Sequence, residues 1–355
     1  MDGGKRQKAL LLIRRKTSPH IADLTHGKFI LIDPTRFIQL LFETFDRSAI
    51  DDFRAFLSAN ERARKWQVAA DFCLHDKNRP NNVFAFTIIP YDAYPDTLFR
   101  EIRHALPKDL KKTKTIDSNA IEFLTNQRRF HFGFVFQDPP AVFNNGPGSD
   151  SLTVARESLA ITVDTLVKHG RSKENMRRLK ILRQKAQATA FDVELLADMY
   201  VLSYLLCFVT LLLSRECRVD VVGWFSDRDK MTTCCDGVVW DISRETLYGL
   251  ANHFRISIPN DIPLIAKPDA NADKDGTWFD EFVRLPDYIA GVLAAWNLTT
   301  NELPGDKDKH IRLAEDVIAN ARNMAILKVR WSDCLQCSRV IFRRAPSNIE
   351  SQSDV

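Results

Sequence analysis

Residues 199–214 are almost wholly apolar, and Asp198 and Arg215 bracket the run. A helix that spans a bilayer needs about 20 apolar residues, so this run is short for a membrane anchor. A helix that is apolar on every side is stable only when other elements enclose it. The chain therefore predicts a buried core helix with a sizeable core around it, and no contact with a membrane.

The composition is that of a globular protein with room for one large core or for two domains. Of 355 residues, 45% are hydrophobic, and the net charge is +4 because 50 Lys and Arg stand against 46 Asp and Glu. This charge permits a polyanionic partner but does not demand one. The seven cysteines are an odd number and lie partly in apolar runs, and the first residues lack the pattern of a signal peptide, which favours a cytoplasmic location.

Alternating and apolar runs predict a mixed sheet. Residues 67–73 and 83–89 flank a polar turn and indicate a hairpin, and residues 130–137 alternate as a third strand. Long helical segments follow, which is typical of an α/β protein. The other predicted strands are 9–13, 28–32, 219–225, 255–258 and 338–342, and the predicted helices are near 37–45, 53–57, 94–106, 118–126 with Ser118 as cap, 153–169, 173–188, 192–214, 244–254, 286–296 and 309–329.

The predicted elements divide the chain into four parts. Residues 1–65 carry no catalytic pattern and are expected to form an N-terminal appendage. Residues 66–298 are expected to form the α/β domain, with a helical insertion at about 151–190. The last helix and strand, within 299–344, are expected to pack on this core, and residues 345–355 to form a disordered tail.

Three aspartates lie where a predicted strand ends or a predicted helix begins. Asp71 and Asp227 each follow an apolar strand, and Asp287 lies at the start of the helix that Pro286 opens. Carboxylates that meet at the carboxyl ends of strands are the ligands that a hard divalent cation prefers. Each aspartate taken singly is better explained as a turn residue or as a helix cap than as a metal ligand.

Asp229 follows Asp227 by two residues, so the two carboxylates share a face if the strand continues that far. Arg228 and Lys230 would then point to the opposite side. Asp229 is therefore a fourth candidate metal ligand, and Arg228 is a candidate substrate-binding residue. An alternating charged stretch is also typical of a solvated loop.

Three basic clusters favour contact with a polyanion. Lys111, Lys112 and Lys114 form the cluster nearest the predicted carboxylate site. A predicted helix within 168–185 carries eight Lys and Arg residues against a single acid, Glu174. A solvated helix face is the alternative explanation for that helix. The remaining cluster is Arg128, Arg129, Phe130 and His131.

The order of these motifs resembles the uncharacterised-domain family numbered 3800. Asp71-Phe72-Cys73-Leu74 stands where that family has Asp-Glu-Ser-Gly, and residues 84–90 are similar to its second strand, which ends in Pro. Asp109-Leu110-Lys111 resembles its acidic-Leu-Lys element. Residues 219–228 are similar to its strand ending in Asp-Arg, and residues 285–291 resemble its closing Leu-Ala-Asp-hydrophobic-Ile-Ala-Gly element.

The resemblance extends over about residues 66–297 and implies a ribonuclease H-like fold. It further implies a metal-dependent nuclease that hydrolyses the phosphodiester bonds of nucleic acid. Asp71, Asp227 and Asp287 would then hold Mg²⁺ or Mn²⁺, and the lysines at 111, 112 and 114 would bind substrate phosphate. The resemblance also implies a role in defence against phage or mobile DNA, beside a partner protein of the same system.

The chain departs from the family where Phe72 replaces Glu. Two-metal catalysis generally uses three or four carboxylates, so Asp76, Asp229 or Glu281 would have to complete the site. If none does, the chain is expected to be a catalytically silent module that binds nucleic acid or a partner through the same fold. A third alternative is an interaction protein whose aspartates are only caps and turn residues, with some of the 23 Phe and 6 Trp forming a partner surface.

Overall fold

The computed structural model describes residues 14–17, 33–91, 95–138, 142–143, 150–168, 173–259, 262–266, 277–303, 308–319, 321–331 and 335–343. The strands are β1 (Arg14–Thr17), β2 (Lys65–Cys73), β3 (Asn82–Pro90), β4 (Phe130–Phe136), β5 (Val221–Ser226), β6 (Leu264–Ala266), β7 (Met324–Trp331) and β8 (Leu335–Ile341). The α-helices are α1 (Pro34–Ser48), α2 (Ile50–Ala59), α3 (Pro95–Ala105), α4 (Ser118–Thr125), α5 (Ser151–Lys168), α6 (Lys173–Lys185), α7 (Val193–Glu216), α8 (Lys230–Phe254), α9 (Asp280–Ala295) and α10 (Asp308–Arg312). A 3₁₀ turn covers Leu110–Lys112, and a π-helical segment covers Leu313–Ile318.

The chain is a mixed α/β protein with helices on both faces of one mixed sheet. Strands β2 to β8 form seven neighbouring strands, and β1 extends the sheet at its β8 edge, in the order β1-β8-β7-β4-β3-β2-β5-β6. Strands β2, β3 and β4 form an antiparallel meander. Strand β5 is parallel to β2, and β6 is parallel to β5. On the other side, β7 is parallel to β4 and β8 is antiparallel to β7.

One face of the sheet is covered by α1, α2, α7 and α8, with α5 and α6 outside them. Helix α7 lies at the centre of this layer, and every residue from Leu196 to Leu213 is buried. By length and hydropathy α7 is the one described helix that would be able to cross a membrane, yet 94% of its most apolar window is buried inside the protein. The predicted core helix is therefore confirmed.

Helices α1 and α2 belong to the same hydrophobic layer as α7. The apolar residues of α1 recur at helical spacing, so one stripe faces the sheet. Phe45 on this stripe packs against Phe132 of β4 and Phe208 of α7. The division of the chain into an appendage and a main domain stays a prediction, but these two helices share the core of the sheet.

The opposite face is covered by α3, α4, α9 and the π-helical segment. Helix α9 packs across β2, β3 and β4. Gly133 of β4 permits this close approach, because a Cβ at that position would collide with Leu293 of α9. The two faces together bury the sheet on both sides, which explains why the central strands read as almost continuous apolar runs.

The meander was predicted correctly, and so were most helices that precede β5. The predicted strands 67–73, 83–89 and 130–137 correspond to β2, β3 and β4, and the predicted strand 219–225 corresponds to β5. The N-cap of helix α4 differs from the prediction. Asp117, rather than Ser118, caps the helix by accepting a hydrogen bond from the Ala120 N–H at 2.8 Å. The strands predicted at 9–13 and 28–32 lie outside the described residues.

The helix predicted at 309–329 is wrong in its second half. Helical structure ends at Ile318, and residues from Met324 form strand β7. Strand β7 lies between β4 and β8 and is buried on both faces. A strand of this kind has no polar alternation, so its pattern does not distinguish it from a buried helix.

The region after β5 was also predicted incorrectly. A helix was expected only from residue 244, whereas α8 begins at Lys230 because Asp229 and Thr232 form a capping box. Its helical geometry is interrupted at Cys234–Gly237, where Cys235, Asp236 and Gly237 have positive φ angles. Residues 255–258 do not form the expected strand. The strand on the other side of β5 from β2 is β6, where no strand was predicted.

Candidate functional site

Asp71 and Asp227 lie side by side at the carboxyl ends of neighbouring parallel strands. The last register pair of β2 and β5 is Ala70 with Ser226, and these aspartates are the next residue on each strand. The Asp227 N–H donates to the Ala70 carbonyl oxygen at 3.1 Å, so the pairing continues to this point. Asp71 shares its face of β2 with Ala69, which packs in the layer that contains α9.

Asp287 reaches the same place from α9. The helix begins at Asp280 rather than at Pro286, so Asp287 lies in its interior and not in its first turn as predicted. The error arose because Pro286 was interpreted as a helix start, whereas Asp280 and Glu281 provide the acidic first turn. The Asp287 carboxylate accepts a hydrogen bond from the Leu110 N–H at 2.6 Å, which ties α9 to the 3₁₀ turn.

The 3₁₀ turn fits closely against α9. Gly291 lies one turn beyond Asp287, and a Cβ there would collide with the Leu110 side chain. On the other side, the Lys309 Nζ donates to the carbonyl oxygens of Leu110 and Thr113. The backbone that carries Lys111 and Lys112 is therefore fixed from two directions.

The three predicted aspartates line one cavity of about 420 Å³. Two further aspartates, Asp109 and Asp280, share this cavity, and four cationic residues surround them. The complete lining is Asp71, Asp109, Lys111, Lys112, Ser226, Asp227, Arg228, Thr277, Asp280, Val283, Arg284 and Asp287. We call it the carboxylate cavity.

Crowding and burial raise the proton affinity of these carboxyls. Asp71 is only 7% exposed, and burial followed by the Asp287 and Asp227 carboxylates raises its pKa well above the usual value. Burial, together with the charges of Asp109 and Asp227, raises the pKa of Asp287 to about 6, against the lowering effect of the hydrogen bond from Leu110. Partial burial, together with Asp280, Asp109 and Asp229, raises the pKa of Asp227.

Two cations of the cavity lie next to Asp109. Asp109 receives Lys112 at 2.9 Å and lies 3.9 Å from the Arg284 Nε. Within the described part of the chain, no Lys or Arg forms an ion pair with Asp71, Asp227 or Asp287. Asp71, Asp227 and Asp287 thus face one space without an ion-pair partner among the described residues. A bound divalent cation would favour the charged forms of these carboxyls.

The described residues contain no group of three or more His, Cys, Asp or Glu side chains already arranged to hold a metal ion. The chemistry of the donors nevertheless fits Mg²⁺ or Mn²⁺, because the available ligands are carboxylate oxygens without nitrogen or sulfur donors. Asp71, Asp227 and Asp287 are the residues that would hold such an ion, and Asp109 and Asp280 are the nearest additional carboxylates.

Not every predicted site residue lies in the cavity. Lys111, Lys112 and Arg228 line it, whereas Lys114 is exposed further along the same loop. Asp229 instead caps α8, where its carboxylate accepts from the Met231 N–H at 2.7 Å. The structure therefore gives Asp229 a local structural role, although its charge acts on the pKa of Asp227.

The carboxylates considered as replacements for the family Glu lie elsewhere. Glu281 is buried and paired with Arg103 at 2.6 Å, and Asp76 lies in the exposed β2–β3 turn, 3.9 Å from Arg79. Asp109 and Asp280 were not predicted as site residues. The position of Asp109 in the acidic-Leu-Lys element was the signal that pointed to it, whereas nothing in the sequence distinguished Asp280.

Phe72 lies on the other side of the sheet. The centre of its ring lies 5.7 Å from the centre of the Phe84 ring, and the side chain packs in the layer formed by α1, α7 and α8. Since side chains alternate along a strand, any residue at position 72 points away from Asp71. The replacement of Glu by Phe therefore takes no ligand out of the carboxylate cavity.

Two of the basic clusters are partly buried. Arg178 of α6 is buried and forms two hydrogen bonds with Asp241, at 2.5 and 2.9 Å. In the cluster at 128–131, Arg129, Phe130 and His131 are all buried. The cluster at Lys111 and Lys112 remains the basic surface next to the carboxylates.

Comparisons of the chain with family models, with curated proteins and with solved structures find no match. The function is therefore argued from the topology and from the carboxylate cavity.

Proposed function

We propose that this protein is a metal-dependent nuclease with a ribonuclease H-like core, in which Asp71, Asp227 and Asp287 hold Mg²⁺ or Mn²⁺. The observation that carries the proposal is the convergence of these three carboxylates, unpaired with any described cation, in one cavity at the carboxyl ends of β2 and β5. Structural caps and turn residues have no reason to meet in this way.

The strand order supports the proposed fold. The segment β4-β3-β2-β5-β6 contains a three-stranded antiparallel meander followed by two strands parallel to its first strand. A ribonuclease H-like sheet has this arrangement. Membership of the family numbered 3800 remains a prediction, because it rests on the short sequence motifs alone.

The residues around the cavity suit phosphodiester hydrolysis. A bound divalent cation supplies a Lewis acid that lowers the pKa of water and stabilises the leaving oxygen. Lys111, Lys112 and Arg228 at the same cavity place positive charge where a substrate phosphate would approach. Leu110 and Lys309 hold the loop and Asp287 in fixed relation, which limits the rearrangement needed on binding.

A catalytically silent module that binds nucleic acid or a partner is the second candidate. The absence of a preformed metal-binding group in the described residues favours it. This candidate was suggested by Phe72, which stands where the resembled family has Glu. Position 72 does not face the cavity, so this difference removes no ligand from it. A defence role, a partner protein and a cytoplasmic location also remain proposals, supported by the motif resemblance and the composition.

The test is cleavage of labelled single- and double-stranded RNA and DNA by the purified protein in Mg²⁺, Mn²⁺ and EDTA. Asp71→Asn and Asp227→Asn should abolish cutting, because each removes a negative metal ligand. Asp220→Asn is a matched control, since Asp220 is exposed just before the start of β5, at the opposite end from Asp227.

Calorimetric titration with Mn²⁺ separates the two candidates. Metal binding that depends on Asp71 and Asp227, without cutting of any substrate, would support the silent module. Equal Mn²⁺ binding by the wild type and both variants would contradict the assignment of these residues.

A further inference from the structure

A second cavity, of about 440 Å³, lies on the same face of the sheet as the carboxylate cavity. It opens between the start of β2, the end of β3, helices α3 and α4, and the turn before β4. Gln67 in this cavity and Asp71 are four residues apart on one face of β2, a distance of roughly 13 Å at the rise of a strand. The volume is in the range of small-molecule sites.

Arg129 brings a buried positive charge to this cavity. Its side chain lies over the Phe123 ring, with the guanidinium carbon 3.5 Å from the ring centre, and the residue is only 5% exposed. One guanidinium nitrogen donates to the Phe123 carbonyl oxygen at 2.7 Å, whereas Nε has no hydrogen-bond partner. Burial lowers the pKa of Arg129 to about 10, so the group is cationic at neutral pH.

No carboxylate among the described residues lies within ion-pair distance of the Arg129 guanidinium, although the charge of Glu101 acts on its pKa. Glu101 on α3 also lines the cavity and is exposed. A buried guanidinium without an acidic partner is costly unless a bound anion pairs with it. Arg128 and His104 add basic groups at the exposed part of the lining.

Gln67 provides an independent observation. It is 4% exposed, and its Oε1 has no hydrogen-bond partner. A buried amide oxygen without a donor is destabilising, so an apolar residue would stabilise the free protein better at this position. A polar acceptor that is left unpaired inside a cavity is instead suited to a donor on a ligand.

We propose that this cavity binds a small organic anion, with a phosphate or carboxylate group paired to Arg129 and an N–H or O–H donor facing Gln67. The apolar lining, which includes Ile89, Leu98 and Phe123, contacts the body of the ligand. The site is independent of the proposed nuclease, because it uses neither the aspartates nor a metal.

Calorimetric titration of the full chain in EDTA tests the site with four probes: uridine 5′-monophosphate, citrate, inorganic phosphate and uridine. We expect the monophosphate or citrate to bind with a dissociation constant below about 1 mM, the range of small ligands with few polar anchors. Uridine lacks the anionic group and inorganic phosphate lacks the organic body, so both should bind at least tenfold more weakly.

Two variants locate the binding. Arg129→Met and Gln67→Leu should each weaken binding about tenfold or more, and Gln67→Leu should also raise the melting temperature of the free protein because it removes an unpaired polar group. Asp71→Asn should leave binding unchanged. The assignment is overturned if neither organic anion binds, if uridine or inorganic phosphate binds equally well, if Gln67→Leu has no effect, or if Asp71→Asn abolishes binding.

Discussion

Replacing Asp287 by Asn should stabilise the metal-free protein. Burial and the neighbouring carboxylates raise the pKa of Asp287 to about 6, from an ordinary value of 3.8. The difference of about 2 pKa units corresponds to about 3 kcal/mol at roughly 1.4 kcal/mol per unit, and the coupling among the carboxyls makes this an upper value. An Asn side chain keeps an acceptor for the Leu110 N–H, so the hydrogen bond that positions the 3₁₀ turn is retained.

The effect should appear only in one pH range. The folded wild-type protein binds an extra proton at Asp287 between pH 3.8 and about 6, so its stability falls as the pH rises through that interval. Above pH 6 the wild type carries the full electrostatic cost, and Asp287→Asn does not. Below about pH 4 the carboxyl is protonated in both folded and unfolded protein, and the advantage of the variant should vanish.

The assay is thermal unfolding of wild type and variant in EDTA at pH 4 and pH 8. At pH 8 the variant should melt up to about 4 °C higher, given the unfolding entropy expected for a chain of this size. Adding Mn²⁺ should reverse the order, because an ion that binds only the folded wild type adds about 4.1 kcal/mol at a thousandfold excess over its dissociation constant. Asp220→Asn serves as control for the loss of one surface charge.

Two results would refute this reasoning. If Asp287→Asn melts below the wild type in EDTA at pH 8, the carboxylate is stabilised by its surroundings and not repelled by them. If Mn²⁺ raises the melting temperature of wild type and variant equally, Asp287 is no metal ligand.

Three further predictions concern His131, Lys309 and Trp278. Burial lowers the pKa of His131 to about 4, so below about pH 6.5 the unfolded chain binds a proton that the folded protein does not. The free energy of unfolding measured in urea should therefore fall by up to about 3 kcal/mol between pH 7 and pH 4, and His131→Gln should remove this part of the pH dependence. Lys309→Met should release the loop that Lys309 holds at Leu110 and Thr113, and the cleavage rate should fall about tenfold. The Mn²⁺ affinity measured by calorimetry should change little, and an unchanged cleavage rate would contradict a positioning role for Lys309. Trp278 is 64% exposed and adjoins Thr277 of the carboxylate cavity, so its ring is available for stacking on a base. Trp278→Ala should weaken the binding of single-stranded oligonucleotides about tenfold in fluorescence anisotropy, and it should weaken the binding of duplexes much less.

The parts of the fold that were predicted correctly have strong local patterns. The polar turn after β2 and the alternation of β4 indicated the meander, and the apolar run of α7 indicated a buried helix. Strand β7 was missed because its first four residues are all aliphatic or Met, whereas β4, although equally buried, alternates Phe with other residues. Strand β6 has only three residues, which is too short to give a pattern at all.

In the carboxylate cavity, too, the residues that could be predicted are those with a clear local sequence pattern. Asp71 and Asp227 were predictable because each follows an apolar strand, and parallel pairing of those strands brings them together. Asp280 was not predictable, because its position depends on where α9 begins and on how that helix crosses the sheet. The orientation of position 72 away from the cavity, by contrast, follows from the alternation of side chains along β2, which holds for any strand.

The central place of α7 has a consequence for biosynthesis. The ribosome releases this helix before β5, β7 and β8, which complete the sheet beneath it, have been made. Until then, a segment apolar enough to enter a bilayer has only the first three strands of the main sheet and helices α1, α2, α5 and α6 on its own face to pack against. The nascent chain is thus expected to bind chaperones that recognise apolar segments. The yield of the protein on expression should depend on these chaperones more than the stability of the folded protein suggests.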